Sequence, residues 1–303
     1  MKNLNLFSTL LQKYLSNKDI RTFKRNFFYY IFYRIIRKFL NGKIKVKICN
    51  FFINASTNKK NMSNSLLNKC YFGDEKILEI IKKISDHKKI FLLDCGSNYG
   101  FYSFYVASLS ADNQVLAFEA SPKTSDTFKA NLELNNFKNI DYRNVAINEI
   151  SGKFISFYES FNDWESSATH NNFKNNKMVT VETTTIDKEL LNKNLSNFSI
   201  VIKLDIEGNE FNAIQGGFET ILKYEPLITI ELSKYNLNNK TYNFDYFRKF
   251  LNDTKYKVYD DKLTQVSIET LIDKINNLDR SHQTIGNYLL LKDFSYIHKT
   301  LTS

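Results

Sequence analysis

The chain of 303 residues is 43% hydrophobic and has only two prolines, a composition that excludes extensive disorder and can bury one substantial core with a smaller attached element. Its three cysteines show no paired spacing, so neither a disulfide framework nor a zinc site is predicted. The net charge of +10 is concentrated at the start, because residues 1–50 hold twelve basic residues and one acidic residue, a net +11.

This basic segment also contains the pattern of an amphipathic helix. Four apolar residues recur there at helical spacing with basic neighbours: Phe28, Phe32, Ile35 and Phe39. We therefore predict a helix over residues 21–40. One interpretation is that it packs on the main domain or on a second subunit, and the other is that it lies on an anionic membrane surface.

Two absences set the expected compartment and partners. Residues 1–20 lack the features of a signal peptide, and no apolar run is long enough to span a bilayer. A cytoplasmic protein is predicted, with peripheral contact at the inner face of the membrane if the helix docks there. The rest of the chain shows no basic patch with interleaved aromatics, so no specific nucleic-acid partner is expected.

The main domain is predicted to begin near residue 70. Residues 43–48 alternate between lysine and apolar side chains, which indicates a half-exposed strand that residues 51–53 continue or pair with. A polar surface loop follows, and then a helix over residues 74–85. We divide the chain into a basic, mainly helical extension, residues 1–70, and an α/β domain, residues 71–303.

The most informative stretch is a buried strand that ends in an acid and two glycines. Residues 90–93 are all apolar, as in a strand of a parallel sheet that is covered on both faces. Asp94 then stands at the carboxyl end of the strand, Gly96 and Gly100 allow a tight turn, and residues 101–109 begin a helix.

The composition of this turn indicates its ligand. The dinucleotide fingerprint needs a further glycine that this turn lacks, which disfavours a nicotinamide oxidoreductase. A carboxylate instead suits a cation, and S-adenosylmethionine carries an ammonium and a sulfonium. The alternative is a tight structural turn with an incidental acid.

A second acid-ended strand follows one helix later. Residues 114–118 lead into Glu119, which stands where acids of nucleoside-binding folds accept hydrogen bonds from ribose hydroxyls. Ser121 and Pro122 fit the N-cap and first position of a helix that reaches about residue 135. The alternative for Glu119 is a solvated acid at a strand end.

Beyond a third strand at residues 140–147, two alternating stretches, residues 152–158 and 178–186, predict a hairpin over the site. Between them, Trp164 could stack on a sugar and His170 could act as a general base. The alternatives are that Trp164 anchors the hairpin and that His170 is a surface residue.

A charged strand completes the predicted site. If residues 200–210 begin as a strand, Lys203, Asp205 and Glu207 share one side of it, and Glu231 ends the next strand at the same rim. A buried lysine requires a compensating carboxylate, so a polar cluster or a structural salt bridge is predicted.

Residues 211–221 have the spacing of one amphipathic helix, and the later segments are sufficient for a seven-stranded sheet.

Roughly residues 88–260 resemble the FkbM-type S-adenosylmethionine-dependent methyltransferases. The resemblance rests on the motifs at residues 94–100, 118–122, 131–135, 185–187, 203–210 and 226–231. It implies a class I (Rossmann-like) methyltransferase fold and O-methylation, often of sugars in glycans, polysaccharides or macrolide-type products. Cys95 and Ser97 depart from the valine and alanine common in the first motif, which should not disturb cofactor binding.

These observations give a defined set of expected site residues. The predicted cofactor-binding residues are Asp94, Gly96, Ser97, Asn98, Gly100, Glu119, Ala120 and Ser121. The predicted catalytic residues are Asp205, Glu207, Lys203 and Glu231, with Asp205 or Glu207 as the proton acceptor. Metal assistance ranks second, because no histidine supports the carboxylates. The alternative function is a non-catalytic cofactor-binding or membrane-docking partner protein.

Overall fold

The computed structural model describes residues 43–56, 74–159, 177–233, 243–277 and 284–302. The helix predicted over residues 21–40 and the loop that carries Trp164 and His170 lie outside the described residues. None of the helices in the described ranges has the length and apolar character needed to cross a membrane.

The described residues form an α/β fold. Its strands are β1 (Lys43–Ile48), β2 (Phe51–Ser56), β3 (Ile90–Cys95), β4 (Gln114–Phe118), β5 (Ile140–Arg143), β6 (Ala146–Ile147), β7 (Phe154–Glu159), β8 (Lys177–Thr184), β9 (Ser199–Leu204), β10 (Leu227–Ser233), β11 (Tyr256–Tyr259), β12 (Gln265–Val266) and β13 (Thr284–Lys292). Its helices are α1 (Glu75–His87), α2 (Phe101–Leu109), α3 (Pro122–Asn135), α4 (Ile186–Leu190), α5 (Glu210–Gln215), α6 (Phe218–Tyr224), α7 (Phe244–Thr254), α8 (Ile268–Asn276) and α9 (Tyr296–Thr302).

The main sheet has the order β12-β11-β13-β10-β9-β3-β4-β5. Strands β10, β9, β3, β4 and β5 are parallel, and β13 is antiparallel to both of its neighbours. The predicted doubly wound sheet is therefore present, but with eight strands instead of seven. The additional strand, β12, has two residues and pairs with β11 at the edge of the sheet.

Strand β3 is buried on both faces, as its apolar sequence predicts. Ile90 and Leu92 belong to a core beneath α1, α2, α3 and α9, whereas Phe91 and Leu93 belong to a second core beneath α4 to α8. Successive side chains of a strand point to opposite faces, so four apolar residues in a row fill both cores. The strand is thereby fixed at the centre of the sheet, with Asp94 near its carboxyl end.

The predicted strand at residues 140–147 is two strands. Strand β5 stays in the main sheet, whereas β6 pairs with β8 in a smaller sheet of order β6-β8-β7. Between them, the side-chain amide of Asn144 donates to the backbone oxygens of Glu119 and Ala120, at 2.6 and 3.1 Å. This contact ties the connecting segment to the turn after β4.

The single helix predicted over residues 211–221 is likewise divided, into α5 and α6, at Gly216 and Gly217. A Cβ atom on Gly216 would lie 2.2 Å from the backbone oxygen of Asn148, so the backbones approach too closely there for any other residue.

The second stretch near the start of the chain pairs with the first. Strands β1 and β2 form an antiparallel hairpin whose buried side chains, among them Val46 and Phe51, join the core beneath α1 and α2. The domain boundary near residue 70 stays a prediction.

Candidate active site

The carboxyl end of β3 places the Asp94 carboxylate in the interior. Its Oδ2 atom accepts hydrogen bonds from Ser103, from the backbone N–H at 3.0 Å and from the hydroxyl at 2.6 Å. Its Oδ1 atom has no hydrogen-bond partner among the described residues and lies 3.9 Å from Nζ of Lys203. Burial raises the pKa of Asp94, although the Lys203 ammonium opposes that change.

The two glycines of this turn are required by its geometry. Gly96 and Gly100 have φ angles of +80° and +90°, and Asn98 between them has +48°. A Cβ atom on Gly96 would lie 1.9 Å from the backbone oxygen of Asp205, and one on Gly100 would lie 2.5 Å from the ring of Phe104. The turn is therefore packed directly between the end of β9 and helix α2.

Glu119 joins the turns that follow β3 and β4. Its two carboxylate oxygens accept hydrogen bonds from the backbone N–H groups of Asn98 at 2.9 Å and Ser121 at 2.8 Å. Burial raises the pKa of Glu119 to about 7, against the lowering effect of these hydrogen bonds. Each oxygen retains a further lone pair, so Glu119 can still accept a hydrogen bond from a ligand hydroxyl.

The other predicted cofactor residues lie in the same two turns. The N–H of Ser97 donates to the backbone oxygen of Phe118 at 2.9 Å, and its buried hydroxyl has no hydrogen-bond partner among the described residues. Ala120 is half-buried beside Ser121. The Ser121 hydroxyl accepts from the N–H of Thr124 as the N-cap of α3 and donates to Glu159. Its hydroxyl is thus used within the protein.

Lys203 lies between the glycine turn at residues 96–100 and the charged rim, by which we mean the carboxylates of Asp205, Glu207 and Glu231. Its Nζ atom is 3.0 Å from Oδ2 of Asp205 and 3.5 Å from the backbone oxygen of Gly96, and it lies over the ring of Tyr102. Burial disfavours the charged ammonium, but the carboxylates of Asp205 and Asp94 outweigh burial and raise the pKa of Lys203. Lys203 is therefore a buried cation that is paired with carboxylates.

Asp205 and Glu231 share a hydrogen bond. Burial and the neighbouring carboxylates of Asp205 and Glu207 raise the pKa of Glu231 well above its ordinary value. Burial also acts against ionisation of Asp205, but the Lys203 ammonium and the hydrogen bond from Glu231 leave its pKa lowered. The opposite directions of these two pKa shifts place the proton of the pair preferentially on Glu231 and the negative charge on Asp205.

The expectation that Lys203, Asp205 and Glu207 share one side of a strand is wrong. Strand β9 ends at Leu204, and Glu207 has a φ angle of +53°, which belongs to a turn. The carboxylate of the buried Glu210 accepts hydrogen bonds at 3.1 Å from Ile206 N–H and at 3.0 and 3.1 Å from Gly208 N–H. It therefore holds residues 206–208 in a loop after the end of β9.

Three polar residues that the sequence did not identify lie at the same rim. Asp74 accepts hydrogen bonds from Tyr102 and from the side-chain amide of Asn287, the latter at 2.7 Å. Asn287 pairs across the sheet with Glu231. The sequence offered no signal for this group, because the residues come from the N-cap of α1, from α2 and from β13. Among the described residues, no three His, Cys, Asp or Glu side chains are grouped as a metal site would require.

Comparison with solved structures finds matches at low identity. An FkbM methyltransferase from Methylobacillus flagellatus KT is 16% identical, with a TM-score of 0.39, over 75% of this chain and 52% of that one. TYW2 from M. jannaschii, in complex with AdoMet, is 10% identical, with a TM-score of 0.41, over 84% of this chain and 87% of that one.

Sequence comparison identifies the family. Methyltransferase 1 of Beauveria bassiana (strain ARSEF 2860) is 26% identical over 145 residues, which are 42% of this chain and 57% of that protein. The chain thus spans little more than half of the length of this relative. The profile described as the methyltransferase FkbM domain matches residues 94–258, more than half of the chain. The chain therefore belongs to the FkbM family of methyltransferases.

Proposed function

We propose that the chain is an S-adenosylmethionine-dependent O-methyltransferase that acts on a hydroxyl of a carbohydrate-containing acceptor. The observation that carries this proposal is the position of two buried carboxylates, Asp94 and Glu119, at the ends of neighbouring parallel strands around a glycine turn. Ligands of open α/β sheets bind at this edge.

The groups in these two turns fit the proposed donor. Asp94 Oδ1 and the Ser97 hydroxyl are buried polar atoms without a hydrogen-bond partner among the described residues, and burying such atoms is costly unless a ligand satisfies them. Asp94 suits the ammonium of the donor, and Glu119 suits its ribose hydroxyls. The bound donor supplies a methyl group on a sulfonium. The methyl group is readily transferred, because the thioether that remains is a good leaving group.

The charged rim supplies the remaining requirement, a base that takes the proton of the acceptor hydroxyl. Asp205 serves this role, because the Lys203 ammonium keeps it ionised while Glu231 donates a hydrogen bond to it. Glu207, in the adjacent loop, is the second candidate for the base. The O-methyl specificity and the carbohydrate acceptor are supported by the resemblance of the motifs to the family.

Incubation with a methyl-labelled donor and fractionated cell extract tests this proposal. Wild-type protein should transfer label to a carbohydrate-containing fraction as an alkali-stable ether, and Asp94→Ala should not. Label confined to protein, nucleic acid or small amines would contradict the acceptor class. Loss of transfer with a chelator would favour the alternative that a divalent cation activates the hydroxyl.

The second candidate is a non-catalytic partner protein that binds the donor or docks on a membrane. The charge of residues 1–50 favours a docking role for the start of the chain. Donor binding without turnover on any acceptor fraction would support this candidate over the enzyme.

A further inference from the structure

Helix α3 holds the hairpin of β1 and β2 through two asparagines one turn apart. Asn135 accepts from the N–H of Phe52 at 2.6 Å and donates to its backbone oxygen at 2.7 Å. The side-chain oxygen of Asn131 accepts from the N–H of Asn54 at 2.9 Å. These side chains pair with the backbone of β2 much as a neighbouring strand would.

Asn131 also contacts the glycine turn at residues 96–100, which we call the donor turn. It is completely buried, and its side-chain amide donates at 3.0 Å to the backbone oxygen of Tyr99. Tyr99 lies between Asn98 and Gly100, both of which have positive φ angles. A hydrogen bond at Tyr99 therefore stabilises the part of the turn whose backbone conformation is least favourable for ordinary residues.

The hairpin makes a second contact with the same region. The Phe51 ring lies 5.6 Å from the ring of Phe101 and 5.9 Å from that of Phe104, both on the helix that follows the turn. One side-chain amide and one aromatic cluster thus connect the hairpin with the turn and with the start of α2.

We propose that Asn131 is a positioning residue for the donor site: its amide, oriented by the N–H of Asn54 in β2, fixes the Tyr99 carbonyl and so the shape of the 96–100 turn. This inference rests on the proposed function for the identity of the ligand. It makes the β1–β2 hairpin part of the donor-binding unit, although no hairpin residue is proposed to touch the donor.

Two variants of the 303-residue chain test the inference. Asn131→Ala removes the contacts with Tyr99 and Asn54. Asn139→Ala is the matched control, because half-buried Asn139 donates to the backbone oxygens of Ala107, Ser110 and Asn113, outside the donor turn. Calorimetric titration with S-adenosylhomocysteine should show about five- to fiftyfold weaker binding for Asn131→Ala and a change within about twofold for Asn139→Ala. Equal effects would overturn the inference.

Amide hydrogen exchange of the wild-type protein gives a second readout, one that does not depend on the stability of a variant. Because coupling between sites is reciprocal, S-adenosylhomocysteine bound to the wild-type protein should slow exchange of the Asn54 amide in the hairpin. Protection of the 96–100 turn without protection of Asn54 would refute the coupling.

If the wild-type protein binds no donor, the proposed function fails. Faster exchange in the turn of Asn131→Ala than of Asn139→Ala would still support the positioning role, and equal rates would refute it.

Discussion

At the scale of single residues, Asp205 carries the chemical proposal. Asp205→Asn keeps the shape of the side chain and removes its charge, so turnover should fall about a hundred- to ten-thousandfold while donor affinity changes little. Single-turnover rates and thermal melting on the same samples measure both effects. Asp141→Asn, at an exposed position of β5, is the control.

The rival role for Asp205 is purely structural. If the carboxylate only neutralises Lys203, Asp205→Asn should melt far below the wild type, because loss of one partner leaves a buried charge unpaired. Full turnover in both Asp205→Asn and Glu207→Gln would also remove these residues from the mechanism. The base would then be sought at Glu231 or His170.

The buried Glu210 predicts a dependence of stability on pH. Burial raises its pKa from 4.5 to about 7, so the folded state binds the proton more tightly than the unfolded state. Its contribution to stability is therefore complete below the unfolded pKa and is lost as the pH rises through about 7. The pKa of Glu119 is raised in the same direction, also to about 7, so its contribution to stability is lost over the same pH range.

We expect the thermal midpoint of the donor-free protein to fall between about pH 5 and about pH 8. Glu210→Gln should make this decline shallower, whereas Glu219→Gln, at an exposed position of α6, should leave it unchanged. A wild-type midpoint that rises over this interval would contradict the assignment of a raised pKa.

At the scale of elements, the tight packing of the turn against β9 gives a stability prediction. Gly96→Ala should destabilise the protein by about 2 to 5 kcal/mol, because it combines an unfavourable φ angle with a collision against the Asp205 carbonyl. Gly152 also has a positive φ angle but faces open space, so Gly152→Ala should cost only about 1 to 2 kcal/mol. Urea denaturation measures both, and equal losses would show that the close approach is unimportant.

Elements with strong local signals were predictable from the sequence. The apolar run of β3, the helix α2 and the Ser121 cap of α3 each depend on neighbouring residues, and the structure has them where they were predicted. The break between α5 and α6 was missed because it depends on Asn148, which is distant in the chain. The end of β9 was missed because the carboxylate of Glu210 folds the chain back there.

The candidate site shows the same limit. Asp94, Glu119 and Asp205 follow apolar runs of the sequence and could be found by their spacing. Asp74 and Asn287 are 213 positions apart in the sequence and meet only because β13 inserts beside β10. No local pattern marks such a contact, so this part of the polar rim required the fold.

At the scale of the whole molecule, the uneven charge predicts a docking or assembly role for residues 21–40, which lie outside the described residues. If the helix binds a membrane, the protein should float with anionic vesicles at low salt and lose this binding at high salt, as the Debye length shrinks. Absence of flotation at either salt concentration would leave only the packing interpretation.

The proposed function depends on the identity of the donor. The most direct test is calorimetric titration of the wild-type chain with S-adenosylhomocysteine and, separately, with NAD. We predict binding of S-adenosylhomocysteine at one site, no binding of NAD, and affinity weaker by about 1 to 3 kcal/mol in Glu119→Ala, with exposed Glu133→Ala unchanged. Binding of NAD without binding of S-adenosylhomocysteine would contradict the account.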